Sequence, residues 1–515
     1  MQNGSPAEPP ARRGKGKRKS GGSAEKRVNG DAMDIDPANT NAAGANEGTA
    51  VEAESPLPAI DEMPPISTLE IGESKGTITE KPRDLTGSTA FVGLEPGVIL
   101  EQVTWSPHNR NALITAGKNH MRVFKVGAND VPENNIYTRA TTVAVPSESG
   151  DYEVQAFCWT EKGSGAFTTL EKIKNENGDE MMQYKMMGFT DYGQKVNLVD
   201  PNAGWVLALK YNPDSEMILS LSWGEQAHIK IWSYSETIYE NSKRRVEPKY
   251  ELKWLRTMTS MLYAVEWTTP NRFLVCGQNT VDLYEVNDDI QLLKSLSTEH
   301  DWVRMEFDPV YELAAIHDAN MQTLGIVTLE GDELKMRTQT VNYKITDLAF
   351  QPLPSKPVTE ETSANGTAKE HQRILAVASD MGQVYLYDVS ASSGVSQVQK
   401  LEMGFDAIAQ CLAFSHDGFL LAAAGYDTLN VWKALEGGAQ PKCVWHIPHG
   451  TDDRWKSQDN GEGDAAIGSV VNGTEGGEQS GVEDDADRFV HKLGWDADGK
   501  RIAFGMNGQV AVIRL

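Results

Sequence analysis

The chain has 515 residues, 39% of them hydrophobic, and a formal charge of -25 at pH 7. That length and apolar content allow a large buried core, while the charge argues against a surface that grips nucleic acid throughout, because phosphate contacts require Lys and Arg. No run approaches the ~18 or more apolar residues of a membrane helix, and the N-terminal stretch MQNGSPAEPPARRGKGKRK lacks a signal-peptide core, so a soluble intracellular protein is expected.

Residues 1–84 are rich in Pro, Gly, Ala, Ser, Glu and Asp, with few aromatic or β-branched runs. Such a segment buries too little apolar surface to offset its ordering entropy, which predicts a disordered tail. Inside it, Arg12, Arg13, Lys15, Lys17, Arg18 and Lys19 form a basic cluster ahead of the acidic stretch around Asp31, Asp34 and Asp36. A cluster of this type reads as a nuclear import signal, with a solubilising tail as the blander alternative; direct nucleic-acid contact is expected nowhere else.

From Val98 to the C-terminus a three-part phrase recurs eight times: a short apolar strand ending in an aromatic, a strand rich in Ala, Leu and Val, and a strand of alternating apolar and polar residues. The aromatics are Trp105, Trp159, Tyr211, Trp267, Phe307, Phe350, Phe414 and Trp495. The third strands read MRVFKV, KVNLVD, IKIWSY, VDLYEV, LGIVTL, VYLYDV, LNVWKA and VAVIRL. Period-two alternation bounded by Gly, Asn, Asp and Pro marks strands, and repeats that cannot bury a face alone must stack on their neighbours. The expectation is all-β: an eight-bladed β-propeller over residues 85–515, with residues 88–94 completing the last blade and removing two exposed sheet edges.

Three insertions interrupt the pattern. KIKNENGD at 172–179 obscures blade 2, where GAFTTLE and MMQYKMMGFT compete for the second strand. Residues 353–371 separate the first two strands of blade 6, and residues 451–487 hold eleven Asp or Glu against Arg454 and Lys456. The last composition predicts a flexible acidic loop.

Signs of catalysis are sparse. The phosphate-loop, nucleophile-elbow, zinc-helix and kinase motifs are missing, and the acid pairs Asp288–Asp289 and Asp484–Asp485 read as solvated charge. Cys158, Cys276, Cys411 and Cys443 form no CxxC pair, and His446 with His449 lacks a third tightly spaced ligand. No catalytic residue, metal ligand or cofactor site is therefore assigned.

A second regularity lies four to nine residues upstream of the strand-ending aromatics, at Tyr152, Trp205, Tyr263, Trp302, Tyr343, Phe405 and Phe489. In a propeller these positions fall near one rim of the central channel. They either offer rigid anchors to a peptide or fill the wedges between blades. Trp205 and Trp302, each beside turn residues, are the members expected to be exposed.

The repeats resemble the WD-repeat family. Its Trp-Asp position reads Phe124-Lys125, Trp232-Ser233, Tyr284-Glu285, Tyr387-Asp388 and Trp432-Lys433, the turn acid persists at Asp380 and Asp427, and His300 is nearest to the repeat histidine. VTWSPHNRNALITAGKNHMRVFKV and VHKLGWDADGKRIAFGMNGQVAVIRL look like the two ends of the transducin beta-like corepressor subunits. The resemblance implies a non-catalytic nuclear scaffold of a histone deacetylase complex, binding other subunits or histone tails as a monomeric propeller within a larger assembly. Residues 1–84 lack the helical LisH pattern that such subunits carry, which puts dimerisation by that route in doubt. The alternatives are a scaffold in ribosome biogenesis or in a histone methyltransferase complex, and, in another class, a propeller enzyme.

Overall fold

Strands that are buried on both sides carry near-continuous apolar runs, and the sequence supplies them as ALITAG, VCG, LAAIHD, ILAVAS and LLAAAG. In the computed structural model these runs form the second strands of five of the eight sheets, each of four strands or more. The structure describes residues 81–515 except 95–97, 128–138, 162, 176, 225, 240–244, 353–371, 391–393, 405–406, 426–427, 437–438, 448–491 and 507–508. Blade 1 consists of Leu100–Ser106, Asn109–Gly117, His120–Lys125 and Arg139–Thr142. Blade 2 follows with Tyr152–Trp159, Gly165–Lys174, Glu180–Thr190 and Lys195–Asp200. Blades 3 to 6 span residues 205–258, 262–297, 302–340 and 345–402, blade 7 covers 411–446, and blade 8 covers 492–514.

Each blade faces its neighbour across one apolar cluster, and there are eight clusters for eight blades. Period two explains how one sheet serves two clusters. In blade 7, Leu412, Phe414, Leu421, Ala423 and Trp432 turn toward blade 6. Their neighbours Cys411, Ala422, Ala424 and Val431 turn toward blade 8. Val103, Trp105 and Leu113 of blade 1 pack against Ala503, Val510 and Val512 of blade 8, so the ring is closed.

The closure is shared by both ends of the described chain. Thr89–Gly93 pairs antiparallel with Gln509–Ile513 as the outer strand of blade 8, as the strand count requires. Arg83 and Asp84, which composition places in the tail, add a short parallel strand to Cys443 and Val444 of blade 7, and Leu85 is fully buried beside them. Residues 1–80, with the basic cluster, lie outside the described residues, as does the acidic loop 451–487.

Blade 2 corrects the sequence reading. GAFTTLE and MMQYKMMGFT are its second and third strands, and KVNLVD is its outer strand rather than its third. The segment 172–179 is no insertion between strands. Lys172, Ile173 and Lys174 continue the second strand and pair with Met182, Met181 and Glu180, so the blade ends in a long hairpin.

Strand-ending aromatics tie neighbouring blades together. The indole N–H of Trp105 donates to Gly494 O at 3.1 Å, that of Trp267 to Lys210 O at 3.1 Å, and that of Trp495 to Ala413 O at 2.9 Å. Each acceptor is the residue just before the aromatic of the preceding blade, which satisfies a buried donor and fixes the stagger between inner strands.

The boundary between blades 8 and 1 carries a buried ion pair. Arg501 Nε donates to Asp496 Oδ2 at 2.6 Å, and Nη1 donates to Gly127 O at 2.8 Å. Nη2 donates to Asn111 Oδ1 at 3.1 Å and also to Arg110 O. The guanidinium lies 4.8 Å from the centre of the Trp105 ring. Removing one member of a buried pair strands the other, so Arg501→Met should cost about 3–5 kcal/mol in urea unfolding. Asp498→Ala, which removes the partner of the exposed Arg110, should cost less than about 1 kcal/mol.

Candidate functional site

The inner strands alternate, and of the row that lies nearer the central channel the long side chains emerge into it while small ones such as Ala156 and Cys411 pack against the neighbouring blade. Immediately before each strand-ending aromatic stand Thr104, Cys158, Lys210, Glu266, Glu306, Ala349, Ala413 and Gly494, in blade order. Two residues earlier stand Gln102, Ala156, Ala208, Ala264, Arg304, Asp347, Cys411 and Lys492. The channel is therefore uneven. Long charged side chains project from blades 3 to 5, whereas blades 6 to 8 place Ala, Ala and Gly at the equivalent height.

A charged belt results. Lys210 pairs with Glu266, Arg304 pairs with Asp347, and Arg304 Nη2 also lies 3.6 Å from Glu306 Oε1. Desolvation within the channel wall, aided by Glu266 and Asp347, outweighs Arg304 and Lys210 and pushes the Glu306 pKa up to about 7. The side chain is crowded by these charged neighbours, while 39% of its surface meets the open channel. Burial alone pushes the Cys158 thiol up to about 12, and it also raises Cys276 and Cys411, so these act as small apolar groups. Among the described residues no group of three His, Cys, Asp or Glu could hold a metal ion. His446 contacts Thr428 Oγ1 at 3.3 Å, while His449 lies outside the described residues.

The rim where the inner strands begin sorts the upstream aromatics. Trp205 is 43% exposed at the start of its strand, opposite Trp223. Tyr152 and Tyr263 are half-buried. Trp302 is not exposed, contrary to its turn-like flank: it is fully buried, and its indole N–H donates to Thr298 Oγ1 at 2.9 Å. The ring fills a slot left by Gly325, where a Cβ would come within 3.1 Å of it. Tyr343 is also buried, stacked on Tyr385 with centroids 4.4 Å apart and bonded through its hydroxyl to Tyr387 at 2.7 Å. These two residues are wedge packing. Phe405 and Phe489 lie outside the described residues.

Two exposed residues on the same rim escaped the sequence reading. Met321 is 39% exposed and Met381 is 59% exposed, both in turns joining second to third strands. The signal was present: each is a large apolar residue inside a polar turn, DANMQT and SDMGQ. Between blades 4 and 5 the rim also holds a hollow of about 340 Å³ lined by Gln278, Asn279, Glu299, His300, Asp301 and Asp318. His300 Nδ1 approaches Asp318 Oδ2 at 3.7 Å. Flexible thioethers, one indole and an acidic hollow can receive an extended peptide bearing apolar and basic groups.

On the same rim Glu171 anchors the linker into blade 2. Burial opposes its charge, yet the Ser149 N–H, the Lys185 ammonium and the Ser147 and Ser149 hydroxyls hold its pKa down at about 2.

No family model matches the chain, and no curated protein matches it. Among solved structures, it is similar to one chain of a structure described as "Crystal Structure of Mitotic Checkpoint Complex". The TM-score is 0.44 and the identity 15%, over 67% of this chain and 95% of that one. The eight-bladed assignment rests on the sheets and the interfaces between them, not on this likeness.

Glu171 and Glu306 should act on stability with opposite signs. Glu306 binds more protons in the folded chain between its ordinary 4.5 and about 7, so its contribution declines as pH rises through that window. Glu306→Gln should therefore gain relative to wild type between pH 5 and pH 8. The contribution of Glu171 is complete above 4.5 and disappears as pH falls toward about 2. Glu171→Gln should be less stable at pH 7, with the deficit narrowing in acid. Urea midpoints across pH check both.

Proposed function

We infer that this chain is a non-catalytic scaffold of the WD-repeat type that captures protein segments on the rim where its inner strands begin. The observation that carries the reading is Trp205: a large indole left 43% exposed on a rigid strand end, in a chain that buries Trp302, Trp432 and Trp445 completely. A ring of mutually packed blades presents such a group preformed, so little conformational entropy is lost on binding. Met321, Met381 and the acidic hollow at Glu299, Asp301 and Asp318 add adaptable apolar contact and attraction for basic segments.

Charge supports a basic partner. The net charge of -25 and the eleven acids of residues 451–487 repel acidic chains and favour Lys- and Arg-rich ones such as histone tails. With the basic cluster Arg12, Arg13, Lys15, Lys17, Arg18 and Lys19 as an import signal, the proposed setting is nuclear. The corepressor resemblance of the first and last repeats makes a histone deacetylase complex the leading assembly.

Trp205→Ala should lower affinity for immobilised histone-tail peptides by about tenfold or more, the loss expected of an aromatic anchor. The Trp302→Phe control, internal to a wedge, should change it little. Unchanged binding by a folded Trp205→Ala protein rejects the rim as the docking surface. Affinity purification should recover deacetylase subunits, whereas ribosomal precursors would place the scaffold elsewhere. Deleting residues 1–30 should disperse a fluorescent fusion from the nucleus.

A further inference from the structure

The channel wall formed by blades 5 to 8 holds a cavity that the scaffold reading does not use. Its volume is about 400 Å³, within the range of small-molecule sites. It exists because of the uneven channel: where blades 4 and 5 project Glu266 and Glu306, blades 6, 7 and 8 place Ala349, Ala413 and Gly494. The space left is walled by Phe350, Leu412 and Leu493 beside those alanines, and Arg304, Glu306, Asp347, Gln410 and Lys492 line it as well.

The charges around this cavity do not balance pairwise. Lys210 has Glu266, and Arg304 has Asp347, with Glu306 nearby. Lys492 has no carboxylate within ion-pair distance among the described residues, although it stands in the channel wall of a strongly acidic protein. The buried Gln410 Oε1 likewise has no hydrogen-bond partner. Half a turn of its amide would present an N–H donor there instead. A cation without a counterion among the described residues and an amide oxygen without a partner, both on residues that line one cavity with apolar walls, define the complement: an anionic head on a short apolar body.

We propose that this side of the channel binds a small organic acid, with its carboxylate held by Lys492 and Gln410 and its apolar part resting on Ala349, Ala413 and Leu412. The groups facing Glu306 are Arg304 on its own strand, Lys210 and Glu266 on blades 3 and 4, and Asp347 on blade 6. Protonating Glu306 removes one competing negative charge, so anion binding takes up a proton and strengthens as pH falls.

The test is calorimetric titration of the full chain with phenylacetate, with permanently ionised benzenesulfonate, and with neutral benzyl alcohol. Both anions should bind, and the alcohol should bind about tenfold or more weakly, because a charge-assisted hydrogen bond is lost. Lys492→Met should weaken the anions to the level of the alcohol, and Lys492→Arg should retain them. Ala349→Leu, which fills the cavity, should block all three while Trp205-dependent peptide binding survives. Benzenesulfonate should bind more tightly at pH 6 than at pH 8, and Glu306→Gln should remove that difference. Equal affinities for acid and alcohol, unaltered binding in Lys492→Met, or no binding of any probe to the wild type would each overturn the proposal.

Discussion

Everything in this molecule depends on the seam between blades 8 and 1. A sheet with two apolar faces is stable only when both are covered, and in a ring the last blade must find the first. The seam achieves this with three kinds of contact. Thr89–Gly93 supplies the missing outer strand, Val103 and Trp105 pack against Ala503 and Val512, and Arg501 bridges Asp496 to backbone carbonyls of blade 1. The ion pair adds geometry that hydrophobic contact lacks, because a guanidinium satisfies its donors in one orientation only. Its carboxylate partner is held in turn by the N–H groups of Lys500 and Arg501.

Once closed, the ring separates structural from available residues. Side chains directed between blades are consumed by packing, including Trp302 and Tyr343. Long side chains that emerge into the channel, and those that project outward from its rims, are left available. Trp205, Met321 and Met381 project from one rim, and Lys492 stands in the channel wall. Docking chemistry can therefore vary without disturbing the fold, which is how one architecture carries unrelated functions.

The channel shows the same separation within single strands. In blade 5, Met305 is buried in a wedge while Arg304 and Glu306 on either side face the opening. Because the eight repeats are not identical there, the lining is lopsided: charge and bulk at blades 3 to 5, small residues at blades 6 to 8. The cavity follows from that asymmetry at the level just before the strand-ending aromatics.

The sequence by itself determined the number of blades, the strand-ending aromatics and the closing strand, because alternation and repeated punctuation are local properties that any stacked sheet must obey. It misassigned blade 2, since Glu180–Thr190 carries as many apolar residues as a second strand does and only pairing register distinguishes them. It could not separate Trp205 from Trp302, two tryptophans with similar turn-like flanks. What separates them is Gly325, more than twenty residues downstream of Trp302, whose missing side chain opens the slot that one indole fills. Exposure and the neutral tendency of Glu306 are likewise decided by neighbours from other blades. Only tertiary structure brings those neighbours together, because burial and pairing are properties of space rather than of sequence order.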